Sequence, residues 1–118
     1  MEEGRLMQSM LLDFYGELLT DKQRECFDLH YNEDLSLTEI AEQLGISRQA
    51  VWDNIRRAES SMQSVEEKTG LIERFSQTQQ ALGRLNGLME QLLTLTEGTA
   101  HEIAAQAASE IDALVNEA

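Results

Sequence analysis

Apolar residues recur along this chain at the three- and four-residue spacing of amphipathic helices. The first stripe consists of Leu6, Met10, Phe14 and Leu18. It predicts a helix over about residues 3–17. Thr20 then stands three residues before Gln23, which is the arrangement of a capping box, and this pair predicts a second helix over about residues 21–32.

Two shorter signals predict the next pair of helices. Ser36 and Glu39 form another capping box, which opens a third helix. Gly45 ends that helix, because glycine tolerates the left-handed backbone conformation found at helix ends. Ser47 is placed to cap a fourth helix, which ends at Gly70.

The last third of the chain carries a longer repeat with alternating steps of four and three residues, typical of a heptad seam. We expect a dimer interface made of Leu71, Phe75, Leu82, Leu85, Met89 and Leu92. A second row consists of Ala81, Leu88 and Leu95. Because two rows are too wide for one short helix to cover, the pattern indicates packing on more than one neighbour and favours a homodimer.

The same segment contains two glycines away from any predicted helix end. Gly83 and Gly87 lie inside the long helix, where each costs roughly 1 kcal/mol relative to alanine. They are either tolerated weak points or positions where another helix comes close. Gly98 is expected to close the long helix, and Thr99 with Glu102 forms a third capping box before a final helix.

Composition supports an all-α fold of five or six helices. The 118 residues include no proline and only 5% aromatic residues, which favours helix over strand. We expect a helix-turn-helix domain without a wing over residues 1–70. Residues 71–118 are expected to form a helical extension that packs or dimerises.

The helix-turn-helix is predicted from about Thr38 to Ala58. This motif needs a small residue where its two helices cross and a turn residue that accepts positive φ, and Ala41 and Gly45 meet these needs. Apolar residues that lock the two helices together are Ile40, Leu44, Ile46, Val51 and Ile55.

A recognition helix presents its first turns to a nucleic-acid groove. The residues expected to contact nucleic acid are Ser47, Arg48, Gln49, Trp52, Asp53, Arg56 and Arg57. Arginine pairs with guanine edges and glutamine with adenine edges, while Ser47 and Arg57 suit phosphate. Structural interpretations remain open: Arg48 as a solvated end-turn residue, and Trp52 as a residue that packs on a neighbouring helix or a partner protein. Asp53 repels phosphate unless it pairs with Arg56 or Arg57.

Charge weakens the expectation of non-specific nucleic-acid binding. Nine Lys and Arg face 22 Asp and Glu, which gives a net charge of −13. Residues 37–70, which hold the motif, carry six acidic and four basic residues and are the least acidic third. Because non-specific affinity comes from cations at phosphates, we expect it to be low for one copy.

Little in the sequence points to catalysis. Cys26 is the single cysteine and lies in an apolar stripe, which favours a buried and inert thiol. His30 and His101 are far apart, and no glycine-rich phosphate loop or metal-ligand cluster occurs. We therefore expect a non-enzyme without a cofactor. No apolar run has membrane-spanning length and the chain starts with Met-Glu-Glu, so we expect a cytoplasmic protein.

The run from Ser47 to Glu59, Ser-Arg-Gln-Ala-Val-Trp-Asp-Asn-Ile-Arg-Arg-Ala-Glu, resembles the signature of the YlxM-like family. Leu19–Arg24, Ser36–Glu42 and Glu67–Leu71 are similar to further parts of that family's pattern. The resemblance covers about residues 5–75. The wider layout is similar to region 4 of bacterial sigma factors, in which this helix pair reads promoter DNA.

The resemblance implies a small all-helical protein of Gram-positive bacteria. Genes of the family neighbour those of the signal recognition particle, its GTPase Ffh and the receptor FtsY. It therefore implies an accessory or regulatory role in protein targeting, with the particle RNA, Ffh or FtsY as partners. The alternative from the motif itself is a sequence-specific DNA-binding regulator of transcription.

Overall fold

Six α-helices account for almost all of residues 2–116, the part of the chain that the computed structural model describes. They are α1 Glu2–Tyr15, α2 Asp21–Tyr31, α3 Leu37–Leu44, α4 Arg48–Thr69, α5 Leu71–Leu95 and α6 Gly98–Asn116. A short 3-10 turn, Gly16–Leu18, follows α1. The all-α fold class is confirmed.

The starts of α2 and α3 are fixed by capping boxes, as the sequence predicts. The Thr20 hydroxyl accepts a hydrogen bond from the Gln23 backbone N–H at 3.2 Å, and the Thr20 N–H donates to Gln23 Oε1 at 3.2 Å. Ser36 and Glu39 make the same reciprocal pair at 3.1 and 3.0 Å. Each box satisfies two backbone donors that a helix start leaves open.

The predicted helix ends are confirmed at Gly45 and Gly70, with a difference at the last helix. Gly45 has φ of 70° and Gly70 has φ of 62°, both in the left-handed region. The long helix α5 (Leu71–Leu95) ends three residues before Gly98, and α6 begins at Gly98 itself. Thr99 therefore lies inside α6, and its predicted role as a helix cap is wrong.

The chain divides into two compact units between Ile72 and Glu73. In the first unit α4 is the central helix, and α1, α2 and α3 pack against it. The buried stripe of α4 consists of Val51, Ile55, Ala58 and Met62. Phe27 and Cys26 of α2 and Ile40 of α3 complete the centre of this core, each with 0% of its surface exposed.

The second unit holds the rest of α5 and α6, which a two-residue connection joins. The more shielded row of α5 consists of Phe75, Gln79, Leu82, Asn86, Met89 and Leu93. The shielded row of α6 consists of Ala104, Ala107, Ala108, Ile111 and Val115. No helix in the described range is long and apolar enough to cross a membrane.

The residues predicted for dimerisation separate into two groups. Phe75, Leu82 and Met89 belong to the shielded row of α5, where intrachain neighbours already cover part of each side chain. Leu85 and Leu92 remain 46% and 44% exposed. Leu71, at the start of α5, is 44% exposed in the first unit.

Candidate nucleic-acid interface

The interface begins with the tight turn between α3 and α4. The backbone N–H groups of Gly45 and Ile46 both donate to the Ala41 carbonyl, at 2.9 and 3.1 Å. These bonds end α3 and turn the chain within three residues toward α4. Ala41 is 8% exposed, and its small side chain suits the close crossing of the two helices.

Ser47 is the N-cap residue of α4. Its hydroxyl oxygen accepts a hydrogen bond from the Ala50 backbone N–H at 3.0 Å. This bond fixes the direction in which α4 starts, and the Ser47 side chain remains exposed at the surface. Ser47 therefore positions the first turn of the recognition helix, and its hydroxyl hydrogen is still available to a phosphate.

Four of the predicted contact residues share one face of α4, since Trp52 lies four and three positions after the first two and four positions before the last. We call Arg48, Gln49, Trp52 and Arg56 the recognition face. All four are exposed. Arg48, Gln49 and Trp52 also line a shallow groove of about 590 Å³, together with Leu37 from the start of α3.

The recognition face is partly organised by its own side chains. The Arg56 guanidinium carbon lies 5.6 Å from the centroid of the Trp52 ring, which is the range of a cation–π contact. Trp52 nonetheless leaves 41% of its surface exposed, an unusual position for the single tryptophan of a small protein. An aromatic ring and an arginine are thus presented together.

Asp53 and Arg57 lie beside the recognition face. Asp53 Oδ1 accepts a hydrogen bond from the Gln49 amide Nε2 at 3.0 Å. This bond orients the amide and leaves the Gln49 carbonyl oxygen as an outward acceptor. Arg57 lines a different groove, of about 640 Å³, with Leu18 and Gln23. The structure therefore groups Arg57 with α2 and the 3-10 turn.

Two residues of this surface are not among those predicted. Leu37 carries the apolar spacing of a core residue, yet it is half-buried and lines the groove beside Trp52. Glu59 lines a second groove of about 340 Å³ with Trp52 and Arg56, and its carboxylate repels phosphate there. Glu59 lies about one helical turn beyond Arg56 in the sequence, and this position could have predicted where the cationic surface ends.

Acidic side chains collect on other elements of the first unit. A groove of about 670 Å³ is lined by Leu12, Asp13, Glu17, Asp21, Arg24, Glu25, Asp28 and Asn32. These residues belong to α1, the 3-10 turn and α2, whereas the recognition face belongs to α4. A polyanion is therefore repelled more strongly by the groove of α1 and α2 than by the recognition face.

Titratable groups near the motif have structural partners. The hydrogen bond from the Ser36 backbone lowers the pKa of the Glu39 carboxyl. Burial raises the pKa of Tyr31, and the nearby Glu59 carboxylate raises that pKa further. His30 Nδ1 lies 2.9 Å from the Leu35 carbonyl oxygen, so the ring ties α2 to the loop before α3.

Side chains that could ligate a metal ion do not gather into a site within the described residues. No cluster of three or more His, Cys, Asp or Glu side chains capable of holding a metal ion occurs between residues 2 and 116. Cys26 is fully buried, and burial raises the pKa of its thiol. The interpretation of Cys26 as a buried core residue agrees with this position.

The capped helix pair, its three-residue turn and its exposed second helix define a helix-turn-helix protein. The chain matches the model of the UPF0122 family, helix-turn-helix proteins of the YlxM / p13-like kind, over residues 2–102. The chain belongs to this family. The match extends well beyond residue 75, where the resemblance in the sequence was expected to end.

Curated relatives support the assignment. A UPF0122 protein of Thermoanaerobacter sp. strain X514 is 43% identical over 112 residues, with 87% of this chain and 96% of the relative covered. A UPF0122 protein of Caldanaerobacter subterraneus subsp. tengcongensis is 47% identical, and the match covers 72% of this chain and 73% of the relative. A third relative, from Bacillus cereus strain AH187, is 44% identical, and the match covers 77% of this chain and 83% of the relative.

Proposed function

We propose that this protein is a nucleic-acid-binding accessory or regulatory protein of the signal recognition particle pathway, with the recognition face of α4 as its contact surface. The observation that carries the proposal is the exposure of Arg48, Gln49, Trp52 and Arg56 along one face of an intact helix-turn-helix. The resemblance to the YlxM-like family supports the setting, since that family's genes neighbour those of the particle.

The composition of the recognition face favours RNA as the ligand. Proteins recognise unpaired RNA bases by stacking them on aromatic rings and on arginine planes. Trp52 offers a ring that is 41% exposed, and Arg56 lies against the same ring. The groove beside Trp52 is lined by Leu37, an apolar side chain suited to the face of a base.

Sequence-specific DNA binding is the second candidate, and the first turn of α4 favours it. Arg48 and Gln49 lie where a recognition helix reaches base edges in the major groove. Arginine pairs with guanine and glutamine with adenine in that groove. Under this candidate the protein is a transcriptional regulator that reads duplex DNA.

An electrophoretic shift experiment separates the two candidates. The purified chain is titrated in parallel with the particle RNA, with duplex DNA from upstream of its gene, and with the basic GTPase of the particle, at physiological salt. The proposal expects a shift with the RNA at a lower protein concentration than with the DNA. Specific binding of the DNA alone would support the regulator and contradict the targeting role.

The contact surface is tested by reversing two charges on the recognition face. The double variant Arg48→Glu/Arg56→Glu is expected to weaken binding at least tenfold, because two cations that suit phosphates become repulsive. The matched control Lys22→Glu/Lys68→Glu makes the same change of net charge at other exposed positions. Equal loss in both variants would show that only total charge matters, and unchanged binding in the first would exclude this face.

A further inference from the structure

The outward side of α5 in the second unit carries a row of exposed leucines. Leu85, Leu88, Leu92 and Leu95 follow steps of three, four and three, so they lie along one side of the helix. They leave 46%, 56%, 44% and 80% of their surfaces exposed. We call these four residues the open leucine row.

The open leucine row is distinct from the shielded row of α5. Phe75, Leu82, Met89 and Leu93 are half-buried within the second unit, whereas the four leucines of the open row are exposed. Apolar surface of this extent and continuity marks an interaction site on a soluble protein. The row also follows the a and d positions of a heptad, with leucine at every one.

Charge near the row identifies the kind of partner it fits. Between Leu85 and Leu95 the single acidic residue is Glu90, although the chain as a whole carries −13. Side chains that flank the row on α5 include Gln77, Arg84 and Gln91. Glu90 lies on the opposite side of the helix, two positions and about 200° of helix rotation from Leu88.

We propose that the open leucine row binds the same row of a second copy of this chain. A second copy is as acidic as the first, so the two approach best on a face from which carboxylates are missing. A basic partner, in contrast, is recognised by acidic flanking residues, which this row does not have. Leucines at successive a and d positions are complementary to one another, which suits a two-fold symmetric contact.

Mass in solution tests the proposal directly. The full chain has a mass of 13.3 kDa, and sedimentation equilibrium is expected to give twice that value at micromolar to millimolar concentration. Leu88→Glu adds a charge at the centre of the row and is expected to return the mass to 13.3 kDa. Thr94→Glu adds the same charge on the other side of α5, where Thr94 is exposed, and is expected to retain the doubled mass.

Circular dichroism and the midpoint of thermal unfolding show whether the Leu88→Glu variant is folded like the wild type. Leu88 is 56% exposed, so Leu88→Glu is expected to keep the helical content of the wild type. A wild-type chain that stays at the monomer mass throughout the concentration range would overturn the proposal. So would a Leu88→Glu variant that stays dimeric. The measurement contains no nucleic acid, so its outcome is independent of the proposed function.

Discussion

Tyr15 connects three parts of the first unit through its hydroxyl group. The hydroxyl donates to Glu66 Oε1 at 2.5 Å and lies 3.0 Å from the Thr69 hydroxyl. The same Glu66 oxygen accepts the Ile72 backbone N–H at 3.0 Å, at the start of α5. One carboxylate therefore fastens the end of α1 and the start of α5 to α4.

Replacing Tyr15 with phenylalanine is expected to lower the free energy of unfolding of the first unit by about 1–2 kcal/mol. The variant keeps the aromatic ring in the core and removes only the hydroxyl, so Glu66 and Thr69 lose a partner at a position that is 3% exposed. Urea denaturation at neutral pH measures the change. Identical midpoints for variant and wild type would show that the hydroxyl adds nothing to stability.

The same substitution is expected to alter stability at high pH. Burial raises the pKa of Tyr15, and the hydrogen bond to Glu66 raises that pKa further. Because an unfolded tyrosine ionises near pH 10, the stabilisation is complete below that pH and is lost as the pH rises toward the folded-state pKa. Wild-type stability should therefore fall above about pH 10 more steeply than that of Tyr15→Phe. Parallel curves between pH 9 and 11 would contradict this origin.

At the scale of single elements, replacing glycine with alanine is expected to have opposite effects on stability at the end of α3 and in the interior of α5. Gly45→Ala places a side chain at φ of 70°, in the left-handed region, and is expected to cost about 1–2 kcal/mol. Gly83→Ala is the matched control, because a Cβ at Gly83 meets nothing within 4 Å in this chain. It should stabilise α5 by about 0.5–1 kcal/mol.

Thermal unfolding and amide hydrogen exchange along α4 and α5 measure these two effects. Destabilisation by Gly83→Ala would mean that another molecule approaches α5 at this point. The open space at Gly83 and Gly87 already shows that no helix within residues 2–116 lies against them. Of the two interpretations that the sequence allowed, tolerated weak points agree with the structure of the single chain.

The elements that the sequence predicted best are those whose ends depend on local chemistry. Thr20 with Gln23 and Ser36 with Glu39 begin helices through bonds within four residues, so tertiary structure is not needed to locate them. Thr99 with Glu102 has the same spacing, but the prediction that Thr99 caps a helix was wrong, because α6 already begins at Gly98. A capping pattern inside a helix-favouring segment does not fix where that helix starts.

Positions around the axis of a helix were harder to predict. The heptad repeat of α5 was evident, yet Phe75, Leu85 and Met89 were assigned to one seam, whereas the structure shields Phe75 and Met89 and leaves Leu85 exposed. Periodicity identifies apolar positions without saying which neighbour covers each one. Likewise, the spacing of Arg57 did not show that it lines the groove with Leu18 instead of the groove with Leu37.

Across the whole molecule, nucleic-acid affinity is expected to depend on salt in proportion to the number of copies engaged. Each phosphate neutralised adds about −0.9 to the slope of log affinity against log salt on duplex DNA, and about −0.7 on single strands. The two arginines of the recognition face, Arg48 and Arg56, therefore give a slope of about −1.4 to −1.8 for one copy. A dimer that engages both copies should have about twice that slope.

Titrations of the wild type and of Leu88→Glu at several salt concentrations test this expectation. The variant keeps both arginines of the recognition face, so its slope should be about half that of the wild type if only the second copy is lost. Equal slopes in a dimeric wild type and a monomeric variant would mean that one copy binds alone. Thr94→Glu again serves as the control with the same net charge.

The burial of Cys26 has a practical consequence for spectroscopy. Only a thiolate reacts rapidly with maleimide or methanethiosulfonate reagents, and this thiol is 0% exposed with a raised pKa. Because Cys26 is the single cysteine, one cysteine engineered on the surface becomes the sole accessible attachment point for a probe. Spin labels at such a position then report distances between copies, with the natural thiol left in place.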